Sequence, residues 1–153
     1  MDDAHHFARL LGGDSASVQM METVPDPCTE QAAREWIEMR SRPSGHVFAI
    51  LRTEDHEFLG SIGFGGSLEV STLGYWIGRP YWGQGYATEA VELAVEMARL
   101  LGILKLHAET FVNNTASSRV LEKAGFRNTG SYTRDFPTRG GSRTTCSYEL
   151  ELG

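Results

Sequence analysis

The sequence contains little cysteine and no long apolar run. Its two cysteines, Cys28 and Cys146, lie far apart, which argues against a disulfide scaffold and favours two free thiols. The most apolar stretch, residues 93–106, is interrupted by charged residues and is shorter than the roughly 18 residues of a membrane span. The N-terminal residues lack the basic and apolar regions of a signal peptide. We therefore expect a cytoplasmic protein with no membrane partner.

Basic residues are also in the minority. The chain has 14 Lys and Arg against 20 Asp and Glu, which gives a net charge of -6. Nonspecific binding to nucleic acid depends on neutralising phosphates, so we expect no nucleic-acid partner, although a local basic site for one small anion stays open. The five histidines have no Cys or His partners at metal-ligand spacing, so we expect no metal.

Glycine, in contrast, is abundant, with 17 residues in a chain of 153. This share exceeds the average of about 7%. Four of the glycines, Gly74, Gly78, Gly83 and Gly85, crowd one predicted strand and the loop after it. The length suits one domain that needs no disulfide or metal to fold, so residues 1–153 are expected to form a single unit.

Hydrophobic periodicity predicts an α+β architecture, with helices packed on a mixed sheet. Thr29 and Asn114 are expected to cap the helices that follow them. Gly74 indicates a bulge or a close backbone approach inside its strand. Helices are predicted at 3–11, 30–40, 86–101 and 115–124, strands at 46–52, 58–64, 70–77, 103–111, 126–133 and 142–152, a turn at 43–45, and irregular structure at 14–28.

The tripeptide Gly83-Gln84-Gly85 joins a predicted strand to the long predicted helix. Glycines allow a ligand to approach the backbone closely, and the first turn of a helix offers unpaired N–H groups that bind phosphate. A Gly-x-Gly sequence alone is more often a plain tight turn. The P-loop pattern fails because Gln84 stands where lysine is needed, and the Rossmann pattern fails because Thr88 stands at the third glycine position.

Two sequence blocks carry a family resemblance. Residues 74–91, GYWIGRPYWGQGYATEAV, resemble the acetyl-CoA loop of the GNAT N-acetyltransferase superfamily, closest to the branch of the RimJ and RimL N-terminal acetyltransferases. A second block follows at the right distance, with NTAS at 114–117 and RVLEKAGF at 119–126. The resemblance covers about residues 29–150. It implies a mixed, mostly antiparallel sheet with splayed central strands and flanking helices, and an N-acetyltransferase that uses acetyl-CoA. A homodimer is compatible with it.

The resemblance also implies which residues bind acetyl-CoA. The pantetheine arm is expected along the backbone of the third predicted strand and beside Asn114, whose capping role is not exclusive of this contact. The pyrophosphate is expected on the N–H groups of the glycine loop. Arg119 and Lys123 lie four residues apart on one helix face, where they either meet the nucleotide phosphates or are simply solvated. The residues assigned to acetyl-CoA are Tyr75, Trp76, Ile77, Trp82, Gly83, Gln84, Gly85, Tyr86, Ala87, Asn114, Arg119 and Lys123.

The implied reaction is direct attack of a primary amine on the acetyl-CoA thioester. A backbone N–H near Ile77 is expected to polarise the thioester carbonyl. Ser117 either protonates the departing thiolate, directly or through water, or hydrogen-bonds only within the first turn of its helix. Many members of the superfamily use a tyrosine four residues after this serine, where this sequence has Leu121.

The general base departs from the family pattern, because relatives often carry glutamate where this sequence has Thr72, which cannot act as a base. Glu69, Glu109 and His107 remain as candidates, each otherwise a surface residue of a strand, and we expect Glu109 to take the catalytic role. A lysine-type amine with pKa ~10.4 is neutral in roughly one molecule in two thousand at pH 7, and an α-amine with pKa ~8 in roughly one in ten. An α-amine acceptor therefore tolerates a weak base better, although other small amines stay open.

The start of the chain is a second departure. Family members usually open with a strand before the first helix, but here Asp3 already enters the predicted helix, so we expect the first family strand to be missing. Together with Thr72, this keeps a second hypothesis open: a CoA-binding module that has lost catalysis and acts as a sensor or assembly partner. The complete 114–117 block favours the enzyme.

Overall fold

The computed structural model describes residues 3–41 and 45–153, so the predicted turn at 43–45 lies almost entirely outside the described residues. The described residues fold into an α+β arrangement of helices on one sheet. The helices are α1 (Ala4–Leu11), α2 (Ser15–Val18), α3 (Glu30–Arg40), α4 (Tyr86–Leu100) and α5 (Thr115–Lys123). The strands are β1 (His46–Leu51), β2 (Phe58–Gly66), β3 (Ser71–Ile77), β4 (Lys105–Phe111), β5 (Arg127–Phe136) and β6 (Gly141–Glu151).

The sheet is mixed and mostly antiparallel, as predicted. Its strands follow the order β1-β2-β3-β4-β6-β5. All neighbouring strands are antiparallel except β3 and β4, which are parallel. β1 lies at one edge of the sheet, and within residues 3–41 no strand precedes it.

Helices cover both faces of the sheet because successive side chains of a strand point to opposite faces. On one face, α4 and α5 bury Val91 and Leu121 against Phe64 and Leu73. On the other face, α1 and α3 pack on β2 and β3, and the buried residues of this second core include Phe7, Ala33, Phe58 and Trp76. The central strands are therefore covered on both sides, which leaves the loops at their ends to form the site.

Local signals explain where several elements begin. The Thr29 hydroxyl accepts the Ala32 N–H at 3.1 Å, so the predicted cap of α3 is confirmed. The segment expected to be irregular contains the short helix α2, which Asp14 caps by accepting the Ser17 N–H at 3.2 Å. No helix within residues 3–41 and 45–153 is long and apolar enough to cross a bilayer.

Gly74 does not form the bulge that its position in a strand predicted. It pairs with Gly63 of β2 in regular register, and no shift interrupts that ladder. A Cβ atom built on Gly74 would meet no protein atom within 4 Å, so the close approach of another backbone segment is absent among the described residues as well. The space beside Gly74 belongs instead to the cleft that contains the candidate site.

Candidate active site

The two central strands separate after a short paired segment. β3 and β4 pair only at Ser71 with Leu106 and at Thr72 with His107. Beyond these residues β3 continues alongside β2, and β4 continues alongside β6. A gap therefore opens between the ends of β3 and β4, and the predicted splay of the central strands is confirmed.

Alternate residues of β3 turn their peptide groups towards this gap. The Gly78 N–H donates to the Leu59 carbonyl at 2.8 Å, which sets the phase of hydrogen bonding between β3 and β2. In this phase Trp76 directs its peptide groups to β2, and Tyr75 and Ile77 direct theirs to the gap. The indole of Trp76 packs in the second core, so its side chain supports the strand.

The loop after β3 is shaped by two glycines in the left-handed region. Gly83 has φ 73° and Gly85 has φ 84°, values that other residues rarely adopt. A Cβ atom built on either glycine would meet no protein atom within 4 Å, so the space beside both is open. Gly85 is the N-cap of α4 and provides no side-chain cap. The N–H groups of the first turn are thus left for an anionic ligand or solvent.

Two contacts hold this loop in place. Arg79 donates to both carboxylate oxygens of Asp14, at 2.8 Å and 2.9 Å, and so ties the loop to the start of α2. The hydrogen bond from Arg79 is the main reason why the pKa of Asp14 lies far below its usual range. The indole N–H of Trp82 donates to the Ile77 carbonyl at 2.6 Å, which fixes the loop against the end of β3.

The second sequence block forms the start of α5. Asn114 is its N-cap, and its Oδ1 accepts the Ser117 N–H at 3.2 Å, so the predicted capping is confirmed. The Tyr75 phenol reaches from β3 to the same turn, where its oxygen lies 2.7 Å from Ser117 Oγ and 3.3 Å from the Ser117 carbonyl oxygen. Burial raises the pKa of Tyr75 to about 12, against the opposing effect of the Ser117 hydrogen bond.

On the face of the sheet covered by α1 and α3, two carboxylates share one guanidinium group. Arg134 Nη2 lies 3.1 Å from Glu109 Oε2 and 3.4 Å from Glu22 Oε1. Glu109 lies on β4 just beyond its paired segment, and His107 Nε2 is 3.9 Å from Glu109 Oε1. Burial raises the pKa of Glu22, and the charge of Glu109 raises it further, while Arg134 lowers it. We call Glu22 and Glu109 the acidic pair.

The loop that carries Glu22 is held by the hairpin of β5 and β6. The buried Arg139 donates from Nε to the Met21 carbonyl at 2.6 Å. Arg143 donates from Nη1 to the Gln19 carbonyl, also at 2.6 Å. Because these donors belong to the same hairpin as Arg134, they fix Glu22 near Glu109 although the two residues are distant in sequence.

One cleft of about 1230 Å³ joins these features. It is lined by all twelve residues assigned to acetyl-CoA and also by Ser117, Glu109 and Glu22. Its volume exceeds the roughly 300–1,000 Å³ that is typical of a pocket for one small ligand. Of the other two base candidates, His107 contacts Glu109 but is not among the described residues that line the cleft, and Glu69 is exposed in the turn between β2 and β3.

Sequence reasoning missed Glu22, Arg134 and the contact between Tyr75 and Ser117. Glu22 lies in a segment without hydrophobic periodicity, and Arg134 lies on an exposed strand, so neither carried a signal. The one available signal was Asp14, a residue type that favours helix N-caps and could have indicated an ordered segment before α3.

Comparison with known proteins identifies the family of this site. The family model described as Acetyltransferase (GNAT) domain matches residues 1–127. Among curated proteins, the chain is similar to the probable N-acetyltransferase YjcK of Bacillus subtilis (strain 168), with 32% identity over 101 residues that cover 63% of this chain and 56% of that protein. The chain spans about half the length of the curated relatives it matches.

Solved structures share the fold over almost the whole chain. An acetyltransferase of the GNAT family from Bacillus anthracis has a TM-score of 0.82 at 21% identity, covering 98% of this chain and 89% of that chain. RimL, a ribosomal L7/L12 alpha-N-protein acetyltransferase solved in complex with coenzyme A, has a TM-score of 0.84 at 19% identity, covering 98% of this chain and 89% of that chain. At these identities the likeness shows the fold and leaves the acceptor undetermined.

Proposed function

The chain belongs to the GNAT acetyltransferase family, and we propose that it is an N-acetyltransferase that moves the acetyl group of acetyl-CoA to a primary amine by direct attack. The observation that carries this proposal is the single cleft, which connects the gap between β3 and β4 with the glycine loop on one side and the acidic pair on the other. A donor and an acceptor can therefore meet at the gap.

The first half of the cleft suits acetyl-CoA. An extended pantetheine arm would pair with the gap-facing peptide groups of β3, as a peptide adds to a strand edge. The pyrophosphate would bind the N–H groups of residues 82–87, where Gly83 and Gly85 leave open space. Asn114 would use its Nδ2 group for the pantetheine arm, since Oδ1 caps α5. Arg119 and Lys123 line the same part of the cleft and would meet the nucleotide phosphates.

The second half of the cleft suits the amine and its proton. The amine nitrogen attacks the carbonyl carbon of the thioester, the C–S bond breaks with its electron pair passing to sulfur, and the nitrogen loses a proton. The Ile77 N–H would polarise the carbonyl oxygen. We assign the proton to Glu109, because it lines the cleft beside the gap and the other sequence candidates do not. The Ser117 hydroxyl group would donate a hydrogen bond to the departing sulfur.

The charges around the gap support an amine acceptor. Within the cluster of Glu22, Glu109 and Arg134, two carboxylates face one guanidinium group, so this part of the cleft offers acceptors for an ammonium group. Because Thr72 removes the usual base, an α-amine that is already partly neutral at pH 7 is the better substrate. The acceptor class proposed is therefore an α-amine, of a protein N-terminus or of a small amine. The structural neighbour described as an alpha-N-protein acetyltransferase makes a peptide N-terminus the first acceptor to test.

The proposal is tested by melting the protein with and without acetyl-CoA and by measuring thiol release with a panel of amines. The panel contains a peptide with a free N-terminus, the same peptide with a blocked N-terminus and a free lysine, and a polyamine. At ~100-fold excess over a micromolar dissociation constant, linkage predicts stabilisation by ~2.7 kcal/mol. Thiol release with the free N-terminus supports the enzyme.

Two other outcomes would contradict it. Stabilisation by acetyl-CoA without thiol release from any amine would favour the non-catalytic CoA-binding module. The absence of stabilisation would contradict both functions, because both require the acetyl-CoA site.

A further inference from the structure

We propose that Tyr75 is a positioning residue that holds the Ser117 hydroxyl group so that its proton points to the sulfur of the leaving thiolate. The inference rests on the proposed acetyl transfer and deepens it. The contact is made by a tyrosine from β3 and a serine in the first turn of α5.

The contact joins β3 to the start of α5. Tyr75 lies in the part of β3 that has separated from β4, and Ser117 lies in the first turn of α5, and both line the cleft. The two hydroxyl oxygens are 2.7 Å apart, which is the usual length of an O–H···O hydrogen bond. Ser117 is thus held at two points, since its N–H donates to Asn114 Oδ1 at 3.2 Å.

The direction of this bond decides where the serine proton goes. A serine near a helix start often donates its proton to a backbone carbonyl of the preceding turn, which would turn it away from a substrate. Either hydroxyl group can be the donor in the 2.7 Å contact, and the phenol can also donate to the Ser117 carbonyl oxygen at 3.3 Å. The proposal places the phenol proton on Ser117 Oγ, so that the serine accepts this hydrogen bond and keeps its own proton for another acceptor. Because Ser117 lines the cleft, its proton is then available to an acceptor in the cleft, where the sulfur is proposed to depart.

The Tyr75 phenol remains protonated while it hydrogen-bonds to Ser117. The pKa of Tyr75 is raised to about 12 by burial. A thiol has a pKa of ~8.5, so neither hydroxyl group gives up its proton to a thiolate at equilibrium. In the transfer step the N–C bond forms, the C–S bond breaks and the amine proton passes to Glu109. The thiolate accepts a hydrogen bond from Ser117 until solvent protonates it.

A double-mutant cycle tests the inference. Tyr75→Phe removes only the hydroxyl group, and we expect kcat to fall about tenfold, the effect of one lost hydrogen bond in the transition state. The KM for acetyl-CoA and the melting temperature of the free protein should stay close to the wild-type values. Because Tyr75 acts through Ser117, the variant with both Tyr75→Phe and Ser117→Ala should have the same kcat as Ser117→Ala alone.

Matched controls separate this role from packing. Tyr132→Phe removes the hydroxyl group of an exposed tyrosine on β5, and Ser118→Ala changes the next serine of α5, and neither residue is among those that line the cleft. Both variants should keep the wild-type kcat.

Four results would overturn the inference. An unchanged kcat in Tyr75→Phe would show that its hydroxyl group is not used, and independent effects of the two substitutions would show that Tyr75 does not act through Ser117. If Tyr75→Phe does not fold, Ser117→Thr, which keeps a hydroxyl group, is compared with Ser117→Ala, and equal activity of the two would refute a role for that group. A wild-type protein that releases no thiol would contradict the proposed function itself, and the inference with it.

Discussion

Gly85→Ala is the most direct test of the acetyl-CoA loop. Gly85 has φ 84° and begins α4, whereas Gly102 has φ 82° and follows the end of the same helix. A Cβ atom on either glycine would meet no protein atom within 4 Å. Only Gly85 lines the cleft. Gly102→Ala is therefore a control that applies the same backbone strain outside the proposed site.

The two variants should lose similar stability. An alanine in the left-handed region costs about 1–2 kcal/mol. In a chain of this size each kcal/mol lowers the melting temperature by about 2–4 °C, so both variants should melt roughly 2–8 °C below the wild type. Only Gly85→Ala also puts a methyl group where the pyrophosphate is proposed to bind. The loss of one hydrogen bond to a charged group, ~1.5–3 kcal/mol, would weaken acetyl-CoA binding roughly 10–150-fold.

Calorimetric titration of acetyl-CoA into the wild type and the two variants measures this difference. We expect Gly102→Ala to bind like the wild type and Gly85→Ala to bind more weakly. Wild-type affinity in Gly85→Ala would refute the reasoning, because it would show that the open space beside Gly85 does not hold the phosphates. An equal loss in both would trace the effect to a weakened helix instead.

Three further changes test the rest of the cleft and its support. Glu109→Gln should lower kcat about 100-fold at unchanged acetyl-CoA affinity, as expected for loss of a general base; the exposed Glu92→Gln is its control, and a normal kcat in both would refute the assignment. The pKa of Glu22 is raised in the folded protein, so ionisation of Glu22 opposes folding. The melting temperature of Glu22→Gln should therefore rise relative to that of the wild type as the pH increases above 4.5. Parallel plots of melting temperature against pH for the two proteins would contradict this. Asp14→Asn keeps the helix cap but weakens the pair with Arg79, whose depression of the Asp14 pKa stabilises the fold above the ordinary value of 3.8. The cost should be roughly 1 kcal/mol at pH 7 and should shrink only below about pH 4, so a cost independent of pH in acid would argue against the ion pair.

The cofactor half of the site was readable from the sequence because its signals are local. Gly83 and Gly85 are two residues apart, and both take the left-handed backbone that glycine allows. Asn114 and Ser117 are three residues apart, and the cap that joins them is a contact between near neighbours. In such segments the residue types alone predict the local geometry, and the hydrophobic period predicts the elements on either side.

The acceptor half was only partly readable because its members meet through long-range contacts. Glu109 was predicted as the base, but its partners Glu22 and Arg134 come from a loop before α3 and from β5. Their proximity depends on Arg139 and other residues that bond the hairpin of β5 and β6 to that loop. No short-range sequence pattern predicts that Glu109 lies close to Glu22 and Arg134.

The sequence by itself determined the kinds of elements, the place of the glycine loop and the family, since each depends on residues close together in the chain. Only the tertiary structure decided which peptide groups of β3 face the gap, because that phase is set by hydrogen bonding to β2. It also decided that Tyr75 reaches Ser117 and that Glu22 lies near Glu109, because both contacts arise when the sheet brings separate segments together. The sequence thus fixes which residue types are present in the cleft, and tertiary packing fixes which of them become neighbours.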